Sequence, residues 1–282
     1  ARILRARFGE LIQICDGVAD NVEIQAAINA LPAGGGTVVL SEGQFNLAAA
    51  IAPVTGLTLK GQGLSTILRL SNGANSDIIS ASNLSNVHIS DMLIDGNKAN
   101  QAANGIGVLA SRWAESSLRR VTVQNVRSIG VSLGYPGAAA AGFIVEDVDV
   151  LNPDGRGIVV DGHAQDIYIL RAYILGAVTN GILVNVAGGT VRRIRIEGNT
   201  ILNTQGASIA FDGGAGSADV LWVIDNHIEG THDTAVGFGI WLAGSIWDAA
   251  IKFIEGNYVG PIGAGVTAGD HYGLRGDFCF LI

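Results

Sequence analysis

The chain has 282 residues, and with 15% charged and 48% hydrophobic residues it has the composition of an ordered protein. Its formal net charge of −8 opposes binding to a phosphate backbone, so the sequence predicts no nucleic-acid partner. No apolar run approaches the roughly 18 residues that a membrane span needs, so no membrane insertion is predicted. The presence of 40 glycines but only 5 prolines excludes a collagen-like chain.

The N-terminal region predicts one short helix. Residues 1–10 alternate arginine with apolar residues and lack the apolar core of a signal peptide. Residues 20–31 then show helical periodicity, with Asp20 as the expected N-cap and Glu23 as its capping-box partner. Pro32 and the glycines that follow end the helix. We expect this helix to cover the open edge of the first strands.

One structural plan recurs along the rest of the chain. A short alternating strand is followed by a polar turn, a second strand, a polar loop and a Gly–aliphatic–x–aliphatic strand. This last strand begins at Gly105, Gly130, Gly157, Gly181, Ser208, Gly239 and Gly265. The period of about 26 residues, with apolar residues alternating at a period of two, predicts three strands per repeat.

Such a unit buries only one side of each strand, so it needs a neighbour stacked above and below. The sequence therefore predicts an all-β solenoid of about ten rungs. A single domain over residues 1–282 is expected, with the N-terminal strand and cap-helix region in residues 1–50 and the stacked rungs in residues 51–282.

Four segments carry a resemblance to a known family: residues 16–21 (DGVADN), 24–28 (IQAAI), 34–40 (GGGTVVL) and 57–63 (LTLKGQG). They resemble the opening of pectate-lyase-3-type domains, which occur in polysaccharide-degrading enzymes and phage tailspikes. The resemblance implies a single-stranded right-handed parallel β-helix of the pectate-lyase-like type. It also implies a polysaccharide or oligosaccharide partner, and it favours an extracellular or virion-surface location. No cofactor is predicted.

The active-site patterns of that superfamily are mostly missing. The chain has no Gly-His-Gly, no paired-Asp strand of the polygalacturonase type and no Arg-x-Pro-x-x-Arg. The tripeptide Asp161-Gly162-His163 resembles the Asp-x-His of alginate epimerases, but Val159 and Val160 stand upstream where those enzymes have a tyrosine. The sequence therefore does not favour an epimerase.

The candidate site lies on the sheet built from the Gly–aliphatic strands, whose outer face carries the carbohydrate groove in proteins of this type. Strand alternation points the aliphatic residues inward. The next outward positions, rung by rung, are Leu109, Gly134, Asp161, Asn185, Asp212, Ala243 and Gly269. Asp161 and Asp212 are then two rungs apart, about 9–10 Å, at the upper edge of the separation for inverting glycosidases. They are the predicted catalytic pair.

Four further residues are predicted to bind substrate. Trp241 offers an indole for a sugar ring, Asn185 lies between the two aspartates, and Arg156 and His163 would position the substrate or tune a carboxyl pKa. The structural alternative is that Asp161-Gly162 and Asp212-Gly213 are ordinary turns. No metal site is predicted, because Asp270-His271 does not amount to a ligand set.

Other stacked residues have structural interpretations. Asn199, Asn226 and Asn257 occupy equivalent turns and predict a buried asparagine ladder. Tyr168, Arg195 and Trp222 stack outward on a second sheet, where a surface stack, a ligand platform and a subunit contact all remain open.

Three functions follow from these observations. The leading one is a carbohydrate-directed β-helix, with glycoside hydrolysis by Asp161 and Asp212. The alternative is a non-catalytic structural or receptor-binding protein, such as a tail fibre or adhesin. The missing motifs, the low charged content and the apolar C-terminal stretch 278–282 favour it. A cap, a second subunit or further sequence would have to cover that stretch, and a homo-oligomer formed through this end is one of these expectations. A polysaccharide lyase is the second alternative, requiring at least Arg156 near Asp161 and a Ca²⁺ ion.

Overall fold

The computed structural model describes residues 3–5, 10–13, 17–103, 105–134, 140–186, 189–212, 216–230, 238–243, 251–260 and 272–275. Within these residues the chain winds into an all-β, right-handed parallel β-helix with one short α-helix, as predicted. The predicted strand at Gly265, the dipeptide Asp270-His271 and the apolar stretch 278–282 lie outside the described residues.

Two sheets form the walls. Sheet B is built from the Gly–aliphatic strands and runs parallel throughout, with strands Ile79–Ser82, Val108–Ser111, Val131–Leu133, Ile158–Asp161, Ile182–Asn185, Ile209–Asp212, Phe238–Ala243 and Tyr272–Arg275. Sheet A forms the remaining sides. Its strands are Ile3–Arg5, Glu10–Gln13, Gly36–Leu40, Gly43–Leu47, Leu57–Lys60, Thr66–Leu70, His88–Asp95, Ala114–Gln124, Ala141–Leu151, Gln165–Leu170, Tyr173–Leu175, Thr190–Glu197, Thr200–Leu202, Ser217–Ala218, Val220–Ile224, His227–Glu229, Ile251–Glu255 and Tyr258–Val259.

The core is a set of aliphatic files that run along the solenoid axis. Ile158 pairs with Ile182, and Ile182 pairs with Ile209, each in register on the next rung. All three are fully buried. Because burial of one such side chain contributes about 1.5–3 kcal/mol, each file stabilises the stacking of consecutive rungs. The predicted inward register of sheet B is confirmed in this part of the fold.

The ends of sheet B differ from the predicted register. Val131 pairs with Val108, whereas the predicted register pairs it with Ile106. Leu109 therefore lies two residues before the outward position that the prediction gave it. At the other end Trp241 pairs with Arg275 in the strand Tyr272–Arg275. A shift of two residues leaves every side chain on its own face, so alternation alone does not detect it. The fold has about seven turns rather than ten, because the N-terminal strands belong mostly to sheet A.

The α-helix Asn21–Asn29 covers the N-terminal edge of the fold, as predicted. It packs Ile24 and Ile28 into the core. On its outer side Gln25 satisfies both backbone groups of Ala52, accepting from the N–H and donating to the carbonyl, each at 2.9 Å. The helix therefore occupies hydrogen-bonding groups that would otherwise form an open sheet edge.

The predicted capping box is wrong. Asp20 precedes the helix but makes no side-chain cap hydrogen bond. Its carboxylate instead accepts from the backbone N–H groups of Gly17, at 3.0 Å, and Asn46, at 2.6 Å, which ties the entry to the helix to a neighbouring strand. Glu23 does not reach back to the cap, and its Oε2 is buried without a hydrogen-bond partner. A single 3₁₀ turn, Lys98–Asn100, is the other helical element described.

The predicted asparagine ladder is confirmed. Asn199 donates from Nδ2 to Oδ1 of Asn226, and Asn226 donates in the same way to Asn257, at 2.8 Å in both cases. Each amide also donates to a strand carbonyl, as Asn226 does to Ile196 at 3.0 Å. Because Asn199 and Asn226 are buried, the ladder supplies partners to turn backbone that water cannot reach.

Candidate functional site

The outer face of sheet B carries a polar row formed by Asp161, Asn185 and Asp212. Asp161 pairs with Asn185, and Asn185 pairs with Asp212, at the ends of three consecutive strands. The predicted stacking of these residues is therefore correct. Two strand spacings separate the aspartate backbones by about 9–10 Å. We call these three residues the polar row.

The surroundings of Asp161 in the polar row shift the pKa of its carboxyl group. Its side chain is half-buried, and Oδ1 accepts from Asn185 Nδ2 at 2.8 Å and from the Gly162 N–H at 3.1 Å. Burial raises the pKa of Asp161, and the two hydrogen bonds and the charge of Arg156 offset only part of this increase. The carboxyl group therefore keeps its proton to a higher pH than an ordinary aspartic acid does.

The backbone after Asp161 turns at Gly162, whose φ of +76° lies in the left-handed region that favours glycine. This turn ends the strand directly after the carboxylate and brings the Gly162 N–H back to it. Asp212, by contrast, is exposed, so its carboxylate lies in solvent at the other end of the row. The two aspartates therefore occupy different environments.

An apolar cluster lies beside the polar row on the same outer face. Its buried members are Val159, Leu183, Ala207 and Ala210, with 3%, 6%, 4% and 0% exposure. Val159, Leu183 and Ala210 come two residues before the three members of the polar row, at outward positions. The sequence itself indicates burial on the outer face, in the runs Ile-Val-Val, Ile-Leu-Val and Ile-Ala-Phe. A strand that is apolar on both faces is typically covered on both faces.

Trp241 belongs to this cluster. It pairs with Ala210 on the next strand, packs against the apolar cluster and is half-buried. Its ring is therefore held against the sheet, diagonally across from Asp212.

Arg156 and His163 flank Asp161 in sequence. Arg156 is half-buried, and its charge lowers the pKa of Asp161, which places the guanidinium within electrostatic range. Its Nε atom is buried and has no hydrogen-bond partner. His163 is exposed, and its Nδ1 accepts from the Thr190 N–H at 3.2 Å, so a neutral imidazole carries its proton on Nε2.

The described residues contain no group of three or more His, Cys, Asp or Glu side chains arranged to hold a metal ion. The Ca²⁺ ion that a lyase of this type would require therefore finds no such ligand set in that part of the chain. In the same residues no helix has the length and apolar character of a membrane span.

The described architecture is that of the pectate-lyase-like right-handed β-helix proteins. No family model matches the chain. A sequence relative is the mannuronan C5-epimerase AlgE6 of Azotobacter vinelandii, 33% identical over 171 residues. The match covers 55% of this chain and only 17% of that protein.

Solved structures share the fold at lower identity. The A-module of the same epimerase superposes with a TM-score of 0.59 at 18% identity, covering 86% of this chain and 83% of the module. An alginate lyase from Paenibacillus sp. gives 0.57 at 16% identity, covering 92% and 97%. An endo-xylogalacturonan hydrolase from Aspergillus tubingensis gives 0.55 at 12% identity, covering 92% and 94%. At these identities the likeness establishes the fold.

Proposed function

We propose that the chain binds a polysaccharide along the outer face of sheet B and hydrolyses it, with Asp161 as general acid and Asp212 as general base. The observation that carries this proposal is the polar row. It places two carboxyl groups two rungs apart in unlike environments, one with a raised pKa and one in solvent. A pair of carboxyl groups with separated proton affinities is the arrangement that acid–base catalysis of glycoside hydrolysis needs.

In this mechanism protonated Asp161 donates its proton to the glycosidic oxygen as the bond to the anomeric carbon breaks. Asp212 takes a proton from a water molecule, whose oxygen attacks the anomeric carbon from the opposite face. The product sugar therefore has inverted configuration. The backbone separation of about 9–10 Å lies at the upper edge of the about 6.5–9.5 Å that inverting enzymes keep between the carboxyl groups to leave room for water.

Substrate contacts come from the residues around the row. Asn185 orients the Asp161 carboxyl group and lies where a sugar would bridge the two aspartates. The exposed part of Trp241 offers apolar contact to a ring, and Arg156 and His163 border the Asp161 end. These four residues are the proposed substrate-binding set.

A second candidate is proton transfer on a uronic-acid polymer, by elimination or C5 epimerisation. The half-buried Arg156 favours it, because its positive charge acts on Asp161 and would attract a sugar carboxylate bound beside that residue. The relative named as a mannuronan C5-epimerase points to the same class of polymer. In either reaction one of Asp161 and Asp212 would remove the C5 proton. In the elimination the other would protonate O4 as the C4–O4 bond breaks, and in the epimerisation it would add a proton to the opposite face of C5.

Product analysis on a panel of neutral and acidic polysaccharides tests these proposals. New reducing ends of inverted configuration without unsaturation support hydrolysis. Unsaturated products or exchange of the C5 proton support the uronan reactions and contradict hydrolysis. Absence of turnover on every substrate, with binding retained, contradicts both and supports a receptor-binding β-helix.

A further inference from the structure

A concave groove lies on the outer face of sheet A, on a wall that the polar row does not use. It is open to solvent and has a volume of about 500 Å³. Its lining includes Thr58, His88, Ser90, Ser117, Arg119 and Arg120. We call it the Ser117 groove.

The strand register explains why this surface is concave. Thr58, His88, Ser117 and Ile144 form one outward row across four rungs. Ser90 lies in the neighbouring outward row, opposite Arg119. Short hydroxyl side chains therefore alternate with longer ones in these rows, with His88 between Thr58 and Ser117 and Arg119 beside Ser90. The sequence does not reveal this groove, because it arises from side-chain length across rungs rather than from a local motif.

The polar atoms of the groove are partly occupied by one another. His88 Nδ1 lies 2.9 Å from Ser117 Oγ, which fixes the imidazole beside this serine. Arg120 donates from Nε and Nη2 to Asp91 at 2.6 and 3.0 Å, and Arg119 donates from Nη1 to Glu146. A guanidinium has five N–H donors, so these contacts leave donors on both arginines for a ligand.

We propose that the Ser117 groove is a second saccharide-binding site that takes a neutral, hydroxyl-rich segment of about two sugar units. A sugar hydroxyl donates and accepts at once, which suits a surface where guanidinium donors stand beside carboxylate and hydroxyl acceptors. Ile144 adds an apolar surface for the C–H face of a ring. Asp91 and Glu146 neutralise Arg120 and Arg119, so the carboxylate of Glu115 in the lining and the net charge of −8 oppose an anionic ligand. The volume is in the usual range for small-molecule sites, about 300–1,000 Å³.

Amide chemical-shift mapping of the ¹⁵N-labelled full chain tests the proposal. The probes are cellotetraose, maltotetraose and mannotetraose, with tetramannuronate as the anionic comparison. We expect at least one neutral probe to shift the amides of Ser90, Ser117 and Arg119 more than tetramannuronate does. Neutral probes that leave these amides unmoved, or that shift only sheet B, overturn the proposal.

Two variants and one control complete the test. His88→Ala removes the imidazole, and Ser90→Tyr fills the groove from an outward strand position. Each should weaken binding about tenfold or more, since each removes or blocks several hydrogen bonds. His227→Ala changes another exposed histidine on sheet A, far from the groove, and should leave binding unchanged. Equal affinity in all three variants overturns the proposal, and none of these readouts depends on Asp161 or on turnover.

Discussion

Two polar ladders run along this β-helix, and they share residue types but not surroundings. In the asparagine ladder, Asn199 and Asn226 are buried, and each amide is bonded both to the next asparagine and to a strand carbonyl. In the polar row, unlike residues stand on the outer face and exposure increases from Asp161 to Asp212. Asp161 receives hydrogen bonds, yet burial still raises its pKa.

The difference shows how repetition is used in this fold. Identical side chains with complete hydrogen bonding satisfy the turn backbone, and this is a structural role. In the polar row Asp161 bonds turn backbone through the Gly162 N–H, and burial raises its pKa, so the arrangement suits chemistry. Stacking alone therefore does not distinguish a structural ladder from a candidate site, whereas hydrogen-bond completeness and exposure do.

The largest effect is expected from Ile182→Asp, which tests the register of sheet B on which the polar row rests. The variant places an unpaired charge between the buried Ile158 and Ile209, which should cost several kcal/mol and prevent soluble expression. Asn185→Asp adds the same charge at an outward position of the same strand and should remain soluble. Thermal unfolding and yield are the measurements. A soluble Ile182→Asp with an unchanged melting temperature would contradict the register.

The asparagine ladder should be broken by Asn226→Ala. This change leaves the Ile196 carbonyl and the Asn199 N–H without their side-chain partners, at a cost of about 2–4 kcal/mol in the free energy of unfolding. Asn185→Ala in the polar row is the matched control and should cost less than about 1 kcal/mol, because its side chain is only half-buried. Denaturant unfolding measures both. Equal losses would remove the distinction between the two ladders.

Much of this contrast could be predicted from the sequence. The repeat period and the alternation were sufficient for the solenoid, the inward isoleucines and the alignment of Asp161 with Asn185 and Asp212. They were insufficient at the ends of sheet B, because a shift by any even number of residues leaves every side chain on the same face. The sequence also does not show which hydrogen-bond partner a polar side chain takes. The carboxylate of Asp20, for example, binds strand backbone rather than capping the helix. The exposure of a side chain depends on loops and on the lengths of neighbouring side chains, so the half-burial of Trp241 could not be predicted from the sequence.

A smaller effect is expected from Trp241→Ala. The indole packs on the apolar cluster and presents only part of its ring, so its loss should weaken polysaccharide binding by about 1–3 kcal/mol while some turnover remains. Isothermal titration with the substrate found in the panel gives the change in affinity. Unchanged affinity would show that the sugar does not reach Trp241.

The smallest effect is a pH dependence of stability. Because the folded state raises the pKa of Asp161 above its ordinary value of 3.8, it holds this proton more tightly than the unfolded chain does. The stability of the native chain relative to Asp161→Asn is therefore highest below 3.8, falls as the pH rises from there, and levels off above the folded-state pKa. Urea unfolding across this range measures the difference. A relative stability that rises with pH would contradict the raised pKa.

The most direct test of the central claim is the turnover of the Asp161→Asn variant on the polysaccharide that the native chain hydrolyses. The amide keeps the shape of the carboxyl group but cannot donate the proton, so the rate should fall by about 10²–10⁴-fold while substrate binding and melting temperature stay close to native. Asp149→Asn, which removes a half-buried carboxyl group with a burial-raised pKa from sheet A, is the matched control and should keep the native rate. An Asp161→Asn variant that cleaves as fast as the native chain, or that loses activity only because it unfolds, would contradict the assignment of Asp161 as the acid.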